Sequence, residues 1–543
     1  MRAMGVPERV ENVAALRACV EQLTATNEEL LRNVEKLSAE REQYRTLYLK
    51  MLEQCKRLER GLLGQKAERL TPGHAQLTLQ LLGALLAENE AAPPPEEEEV
   101  AQPVHAHTRR KPSGRRPLPE NLPHVDIEVV PEEVQRQGLD AFERIGEDVS
   151  EVVERRPASM VVVRTHKPKF VRKDRERLAE TEVLVAETPE LPIERGMAGP
   201  ALLADTVVRR WADHLPLNRL EKIYAREGLE LARSTLCGWH EQLKTLVEPL
   251  VEAMWEDALT APYLCTDATG VLVQARERCR RGHFWVVVAP ERHVLFRYSP
   301  KHDSEAVDQM LAGYQGYLVA DAHAVYDHLF ASGEVVEVGC WAHARRYYFK
   351  SLSTDPERAR EALAYIQGLF RIERAIATTP RKKRESVRAE QSRPLVEGFF
   401  AWCDAQVDQV LDDTPIAKAV QYARNQRAAL ERFLEDARLP IHNNWSELEL
   451  RRQAVGRKNW LFVGSDQAAD VNTAFVSLLA SCQQHGIEPS GYLRDLFCLL
   501  PRWSLRRVLE LSPACWRETL EQTDAQKRLD ANIYRKVALG EIG

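Results

Sequence analysis

Between residues 262 and 340 the chain carries a run of apolar segments whose order few folds can accept. YLCTDATGVLVQA, HFWVVVAP and HVLFRYS are rich in β-branched and aromatic residues and are bounded by polar or turn residues, the pattern of strands. A helical stretch from about Ser304 to Leu311 follows, then YLVAD and VVEVGC with a further helical stretch between them. Three strands, a helix, a strand, a helix and a strand fit an open α/β sheet with helices packed on it. Two aspartates hold special places there. Asp267 follows the apolar run Tyr263-Leu264-Cys265, and Asp321 ends Tyr317-Leu318-Val319-Ala320, so both are expected at strand ends, where open α/β sheets bind ligands.

This order is that of an RNase H-like core, in which a third carboxylate is expected from a helix. The segment HNNWSELELRRQAVGRKNWLF at 442 to 462 offers it. Asn443, Glu447 and Arg451 recur at a spacing of four, which puts amide, acid and guanidinium on one helical face. Glu449, the rival acid, lies about 200° around the same helix. Asp267, Asp321 and Glu447 are an oxygen-only donor set suited to two hard cations, normally Mg²⁺ with Mn²⁺ as substitute, for in-line phosphoryl transfer. The sequence holds 81 acidic residues, so a trio chosen by position alone also arises by chance.

Length adds constraint. The 543 residues exceed one ordinary core and predict about three to five parts. The formal charge of −6 gives no bulk electrostatic argument for nucleic acid, which must rest on local basic segments. Ten scattered cysteines without a CxxC pair fit a reducing compartment. With no signal-peptide core in MRAMGVPERVENV and no apolar run near the roughly 20 residues of a membrane span, the expectation is a cytoplasmic, nucleoid-associated protein with no membrane partner.

From Leu16 a heptad register runs through Leu23, Leu30, Leu37, Tyr44, Met51 and Leu58, with Val20, Asn27, Val34, Arg41, Tyr48, Cys55 and Leu62 at the other core position. A strict two-position seam predicts a leucine-zipper coiled coil over 8–70 and a homodimer or higher homo-oligomer, with an intramolecular helical hairpin as the alternative. A helix over Leu77 to Leu86 and an acidic then basic linker complete 71–118. The AAPPPEEEEV run cannot bury apolar area, and HTRRKPSGRRPLP fits either a phosphate-tracking arm or a solvated linker. Residues 119–192 alternate in short runs and predict a small β-rich module. Residues 196–250 read as three short helices, with Pro200 at a helix start and Ser234 as an N-cap. A helix-turn-helix fits them, as does any small bundle, and in it Arg233, Ser234, Thr235 and Trp239 would face DNA. The fold class is thus multidomain α + α/β. It combines an N-terminal coiled coil, a small β-rich module, a helix-turn-helix and an RNase H-like core over 258–354 and 438–480. That core is interrupted by a helical insertion over 355–437, and a C-terminal helical region covers 485–543.

Arg345, Arg346, Arg451, Arg457 and Lys458 flank the acids and are DNA-contact candidates, although an exposed helical face also explains them. Cys340 and His343 make a Cys-x-x-His pair for which two ligands are not a zinc site, so the core reading is preferred. The basic knot Arg381 to Arg384 reads as a solvated loop, and Trp445 as buried, with stacking on an unpaired base as the alternative.

Asn443-Asn444, Glu447, Arg451 and the string Gly456-Arg457-Lys458-Asn459-Trp460-Leu461-Phe462 resemble the terminal motif of the insertion-sequence-66 family of transposases. So do Ala212-Asp213-His214-Leu215-Pro216-Leu217, Arg233-Ser234-Thr235-Leu236, Cys340-Trp341-Ala342-His343-Ala344-Arg345-Arg346 and Tyr492-Leu493-Arg494-Asp495. The resemblance implies a DDE enzyme whose acid triad falls on Asp267, Asp321 and Glu447. It also implies double-stranded DNA partners, the element's inverted repeats and target DNA, and small accessory proteins of the same element. Where relatives carry a zinc module with two cysteine pairs, Pro131 to Arg175 has no cysteine, so zinc is not expected. Ala268-Thr269 follow Asp267, and His442 stands where the terminal motif commonly opens with aspartate. The alternative function is a catalytically impaired, transposase-derived DNA-binding protein.

Overall fold

The computed structural model describes residues 24–28, 30–41, 43–45, 47–48, 51, 122–156, 159–172, 183–276 and 278–542. The chain forms two compact units, one of Met1–Glu99 with His343–Arg427 and the other of Val100–Ala342 with Ala428–Gly543. The helix expected over Leu77 to Leu86, the acidic run and the Arg-Pro segment lie outside the described residues.

The described residues of the larger unit form two sheets. In the first, β1 (His124–Glu128) runs parallel to β3 (Ser159–Arg172), which pairs antiparallel with β2 (Phe142–Arg156) and with β4 (Leu184–Val185). Val125, Val152, Val161 and Val163 on one face are covered by Tyr534 and Val537 of the C-terminal helix Ile533–Leu539. Each such apolar side chain contributes about 1.5–3 kcal/mol when fully buried, and Leu191 and Ile542 pack against the same cluster.

Three helices follow: α1 (Pro200–Trp211), α2 (Leu217–Arg226) and α3 (Arg233–Ala258). Pro200 occupies the first turn of α1, where a missing N–H costs nothing. Two expectations fail. The third helix is not short but runs 26 residues, and it starts at Arg233 with Ala232 at the N-cap, so Ser234 lies inside the first turn and caps nothing. The length comes from a continuous buried stripe, Leu236, Trp239, Leu243, Val247, Leu250 and Met254, that tertiary packing sustains beyond the expected stop.

The second sheet has the order β7-β6-β5-β8-β9, built from β5 (Tyr263–Val273), β6 (Arg280–Ala289), β7 (His293–Ser299), β8 (Gly316–Val319) and β9 (Val335–Val338). The first three strands form an antiparallel meander, and β8 and β9 join parallel to β5. α4 (Ser304–Met310) lies between β7 and β8, with Asp303 capping it by accepting from Ala306 N. On β6, Phe284 through Ala289 are all buried, as a strand covered on both faces requires. The free edge at β7 is closed by α6 (Asp466–Gln484). Ser477 Oγ accepts from Phe296 N at 2.8 Å and Ser481 Oγ from Val294 N at 3.0 Å, which satisfies the edge backbone. α5 (Asn444–Trp460) packs on β5 and β6 and carries the terminal motif.

The smaller unit is helical where described. Residues 24–51 are helical at each described position, with Leu30, Val34, Leu37, Tyr44 and Met51 all exposed. Pro356–Ile376, Arg393–Gln406 and Pro415–Asn425 bury Ile366, Leu369, Phe399, Phe400 and Ala419. This segment overlaps the insertion expected over 355–437, although residues 428–437 fall in the larger unit. The basic knot is not a loop: Arg381 to Arg384 open the helix Arg381–Val387, where Arg381 pairs with Glu385 one turn on. Among the described residues no helix is long and apolar enough to cross a membrane.

Candidate active site

The parallel ladder between β5 and β8 sets the site. Tyr263, Leu264 and Cys265 pair with Tyr317, Leu318 and Val319. Carrying this register two residues further brings Asp267 level with Asp321, and the period of two keeps both in phase with Cys265 and Val319. Asp267 is not at the end of its strand as expected. It sits inside β5, opposite Val286 of β6, because the antiparallel pairing with β6 extends to Val273. What ends beside it is the pairing with β8, so the carboxylate stands where the sheet opens. Both aspartates are half-buried, and Asp267 Oδ1 accepts from Ala268 N at 2.7 Å.

Tyr326 lies within electrostatic reach of both aspartates. Its hydroxyl is raised well above the ordinary tyrosine range, first by burial, then by the negative charge of Asp321 and, less, of Asp267, against a hydrogen bond with Thr266. His302 is lowered from its usual value by burial and by the neighbouring His323, with Asp321 opposing. His323 stands two residues after Asp321, and its ring meets that of His302 edge-on at 4.7 Å. None of these three was singled out from the sequence. The signal available was the Asp-x-His spacing at 321 to 323.

The third acid arrives on a pinned helix. Asn443, fully buried at the N-cap of α5, donates from Nδ2 to Thr266 O at 2.7 Å, one residue before Asp267. Its backbone N–H is accepted by Cys340 Sγ at 3.2 Å. Further along, Arg457 donates to Thr269 Oγ1 at 2.9 Å and to Gly270 O. The helix is thereby fixed along β5 at both ends, and Glu447, one turn after Asn443, lies half-buried on the strand-facing side of the first turn. Glu449 is engaged elsewhere, its Oε2 accepting from Arg452 Nε at 2.6 Å. Cys340 is a buried structural sulfur.

The carboxylates of Asp267, Asp321 and Glu447 are oxygen donors of the type a hard cation takes. Among the described residues, no three His, Cys, Asp or Glu side chains are gathered closely enough to form a preformed metal cluster. The fit rests on the level aspartate pair, with Glu447 one helical turn from the pin at Asn443.

The basic candidates divide. Arg451 and Lys458 are exposed on α5, whereas Arg457 is drawn inward by the strand. Arg345 and Arg346 are exposed on the helix Trp341–Ser351 and belong to the other unit. On α3, Arg233 is exposed and pairs with Glu221 at 3.2 Å, Ser234 is exposed and Thr235 half-buried. Trp239 cannot contact DNA: it is 6% exposed, held in the buried stripe of α3. Trp445 is the converse, 46% exposed where a buried ring was expected, because it falls on the face of α5 turned away from the sheet.

The sequence matches known families in the same regions. The family profile described as "Transposase IS66 family" covers residues 195–471, just over half the chain, and one described as "Transposase C of IS166 homeodomain" covers 50–127. The protein y4hP of Sinorhizobium fredii, described as uncharacterized, is 28% identical over 495 residues, 86% of this chain and 88% of its own. Its counterpart y4qI from the same organism, also described as uncharacterized, is 27% identical over 527 residues, 93% of this chain and 94% of its own. The sheet, the helix bearing the terminal motif and the three helices before them all fall inside the first matched region, and the chain belongs to the IS66 family of transposases.

Proposed function

We propose that this transposase is a DDE enzyme that binds the inverted-repeat ends of a mobile element and cuts and joins DNA strands, using Asp267, Asp321 and Glu447. The observation that carries this is the parallel pairing of β5 with β8, whose last pair, Cys265 with Val319, stands two residues before Asp267 and Asp321 on their own strands. The strand order β7-β6-β5-β8-β9 supports an RNase H-like core, and α1 to α3 support a DNA-binding helical module upstream.

Asp267 and Asp321 would hold divalent cations, Mg²⁺ or Mn²⁺, with Glu447 completing the set; bound there, the cations would activate the attacking oxygen and stabilise the leaving one. The protein's own part is positional. Asn443 and Arg457 clamp α5 to β5, so the acid and the aspartates are carried by elements that cannot slide apart. Arg451 and Lys458 present charge to phosphates beside the acids.

A strand-transfer assay with pre-cleaved element ends and Mg²⁺ or Mn²⁺ tests this reading. Wild type should join inverted-repeat ends and leave scrambled DNA unjoined, and Asp321→Ala should bind the ends without joining them. If wild type and Asp321→Ala bind equally and are equally inert, the chain is a DNA-binding derivative and the enzyme reading fails.

A further inference from the structure

The four residues that close α5 are arranged against their own preferences. Trp460 and Val463 are buried in one cluster with Val271, Val273 and Phe284. Between these anchors Leu461 is 63% exposed and Phe462 40% exposed. Leu461 has φ 63° and ψ −49°, and Phe462 N donates to Trp460 O at 2.8 Å. This is a three-residue turn with positive φ at its centre, rare for any residue and an outlier for a bulky one. Glycine would relax it. Instead the chain spends strain to hold two large apolar side chains in water, and strain of this kind persists only where the surroundings over-determine it.

The surroundings do so. Val463 N donates to Leu272 O at 2.9 Å and Gln274 N to Val463 O at 2.8 Å, which sews the turn to the β5–β6 hairpin. That hairpin is basic. Arg276 and Arg278 lie in its loop and Arg281 pairs in register with exposed Leu272, while Lys458 precedes the turn on α5. All four cations are exposed, and none makes an ion pair with a described residue.

An apolar tip among unpaired cations complements a polyanion whose interior is apolar. We propose that Leu461 and Phe462 form a wedge that enters the base stack of duplex DNA, with Arg276, Arg278, Arg281 and Lys458 on the flanking phosphates. The proposal rests on the DNA-joining function above and adds where the duplex is opened. Thirteen residues of α5 separate Glu447 from Trp460, about 20 Å of helix. That length corresponds to roughly six base-pair steps at about 3.4 Å each.

The test uses the full chain and duplexes cut from the DNA flanking its coding sequence, with 2-aminopurine placed at successive positions. Binding of wild type should raise the fluorescence several-fold at a step roughly four to eight base pairs from the cleaved end, and Leu461→Ser with Phe462→Ser should abolish the rise. Leu461→Gly relaxes the positive φ and should lose the signal while melting no lower than wild type. Arg276→Gln and Arg278→Gln should each reduce the salt slope of binding by about one. Wild type that binds the ends without a rise, or serine variants that keep it, overturn the wedge and leave the transposase reading standing. Serine variants that change the mass in solution instead of the signal overturn it in favour of a protein contact. Wild type that binds no DNA removes the function and the wedge together.

Discussion

Asn443 stands at the N-cap of α5, and its side chain, which caps nothing, ties that start to the strand carrying Asp267. Replacing it by alanine leaves Thr266 O without its buried donor, so Asn443→Ala should cost about 1–3 kcal/mol in urea unfolding and weaken strand transfer as well. Glu447→Gln keeps the shape and removes the charge. It should leave the unfolding midpoint close to wild type while lowering strand transfer by about 10²-fold or more, and a large loss of stability in Glu447→Gln would assign that residue to the fold instead. Gly199 belongs at the same scale. A Cβ there would overlap the buried Glu154 Oε2, so Gly199→Ala should destabilise by about 1–3 kcal/mol, read by thermal melting. Single residues were also where the sequence misled. Trp239 and Trp445 exchanged their expected environments because a residue's side of a helix depends on what packs against it, and the chain alone does not announce that partner.

Among the elements, the strands were legible and their ends were not. Apolar runs such as Phe284 through Ala289 declare a covered strand, but Asp267 looked terminal because the apolar run stops there, while pairing with β6 carries the strand to Val273. Ser234 has the right chemistry for a cap and is bypassed because the helix begins one residue earlier, at Arg233. The junction of β2 with α1 was invisible. There Glu154 is fully buried, with Oε1 accepting from Arg155 N at 2.8 Å and Leu202 N at 2.9 Å. Burial outweighs these bonds and raises its pKa from 4.5 to about 8. The folded state therefore holds a proton that the unfolded chain releases near 4.5. The stability tied to that proton is complete below 4.5 and is lost as pH rises through about 8. Melting temperature should fall over that window, and Glu154→Gln should flatten the fall. A variant whose pH profile matches wild type would place the titration elsewhere.

For the whole molecule, the heptad seam is the feature that reaches beyond one chain. Its described positions Leu30, Val34, Leu37, Tyr44 and Met51 are helical and exposed, apolar groups at heptad spacing that a second helix would cover. Sedimentation should show self-association for the full chain, and Leu30→Lys with Leu37→Lys should return it to a monomer. A monomeric wild type would favour the intramolecular hairpin. The catalytic account stands or falls on the acids and has a readout independent of DNA joining. Ferrous iron in place of magnesium, with ascorbate and peroxide, cuts a backbone beside the site that binds it. The account predicts cuts close to Asp267, Asp321 and Glu447, suppressed by excess Mg²⁺ and lost together in Asp321→Ala. Cuts at other positions, or cuts that survive in Asp321→Ala, would contradict it.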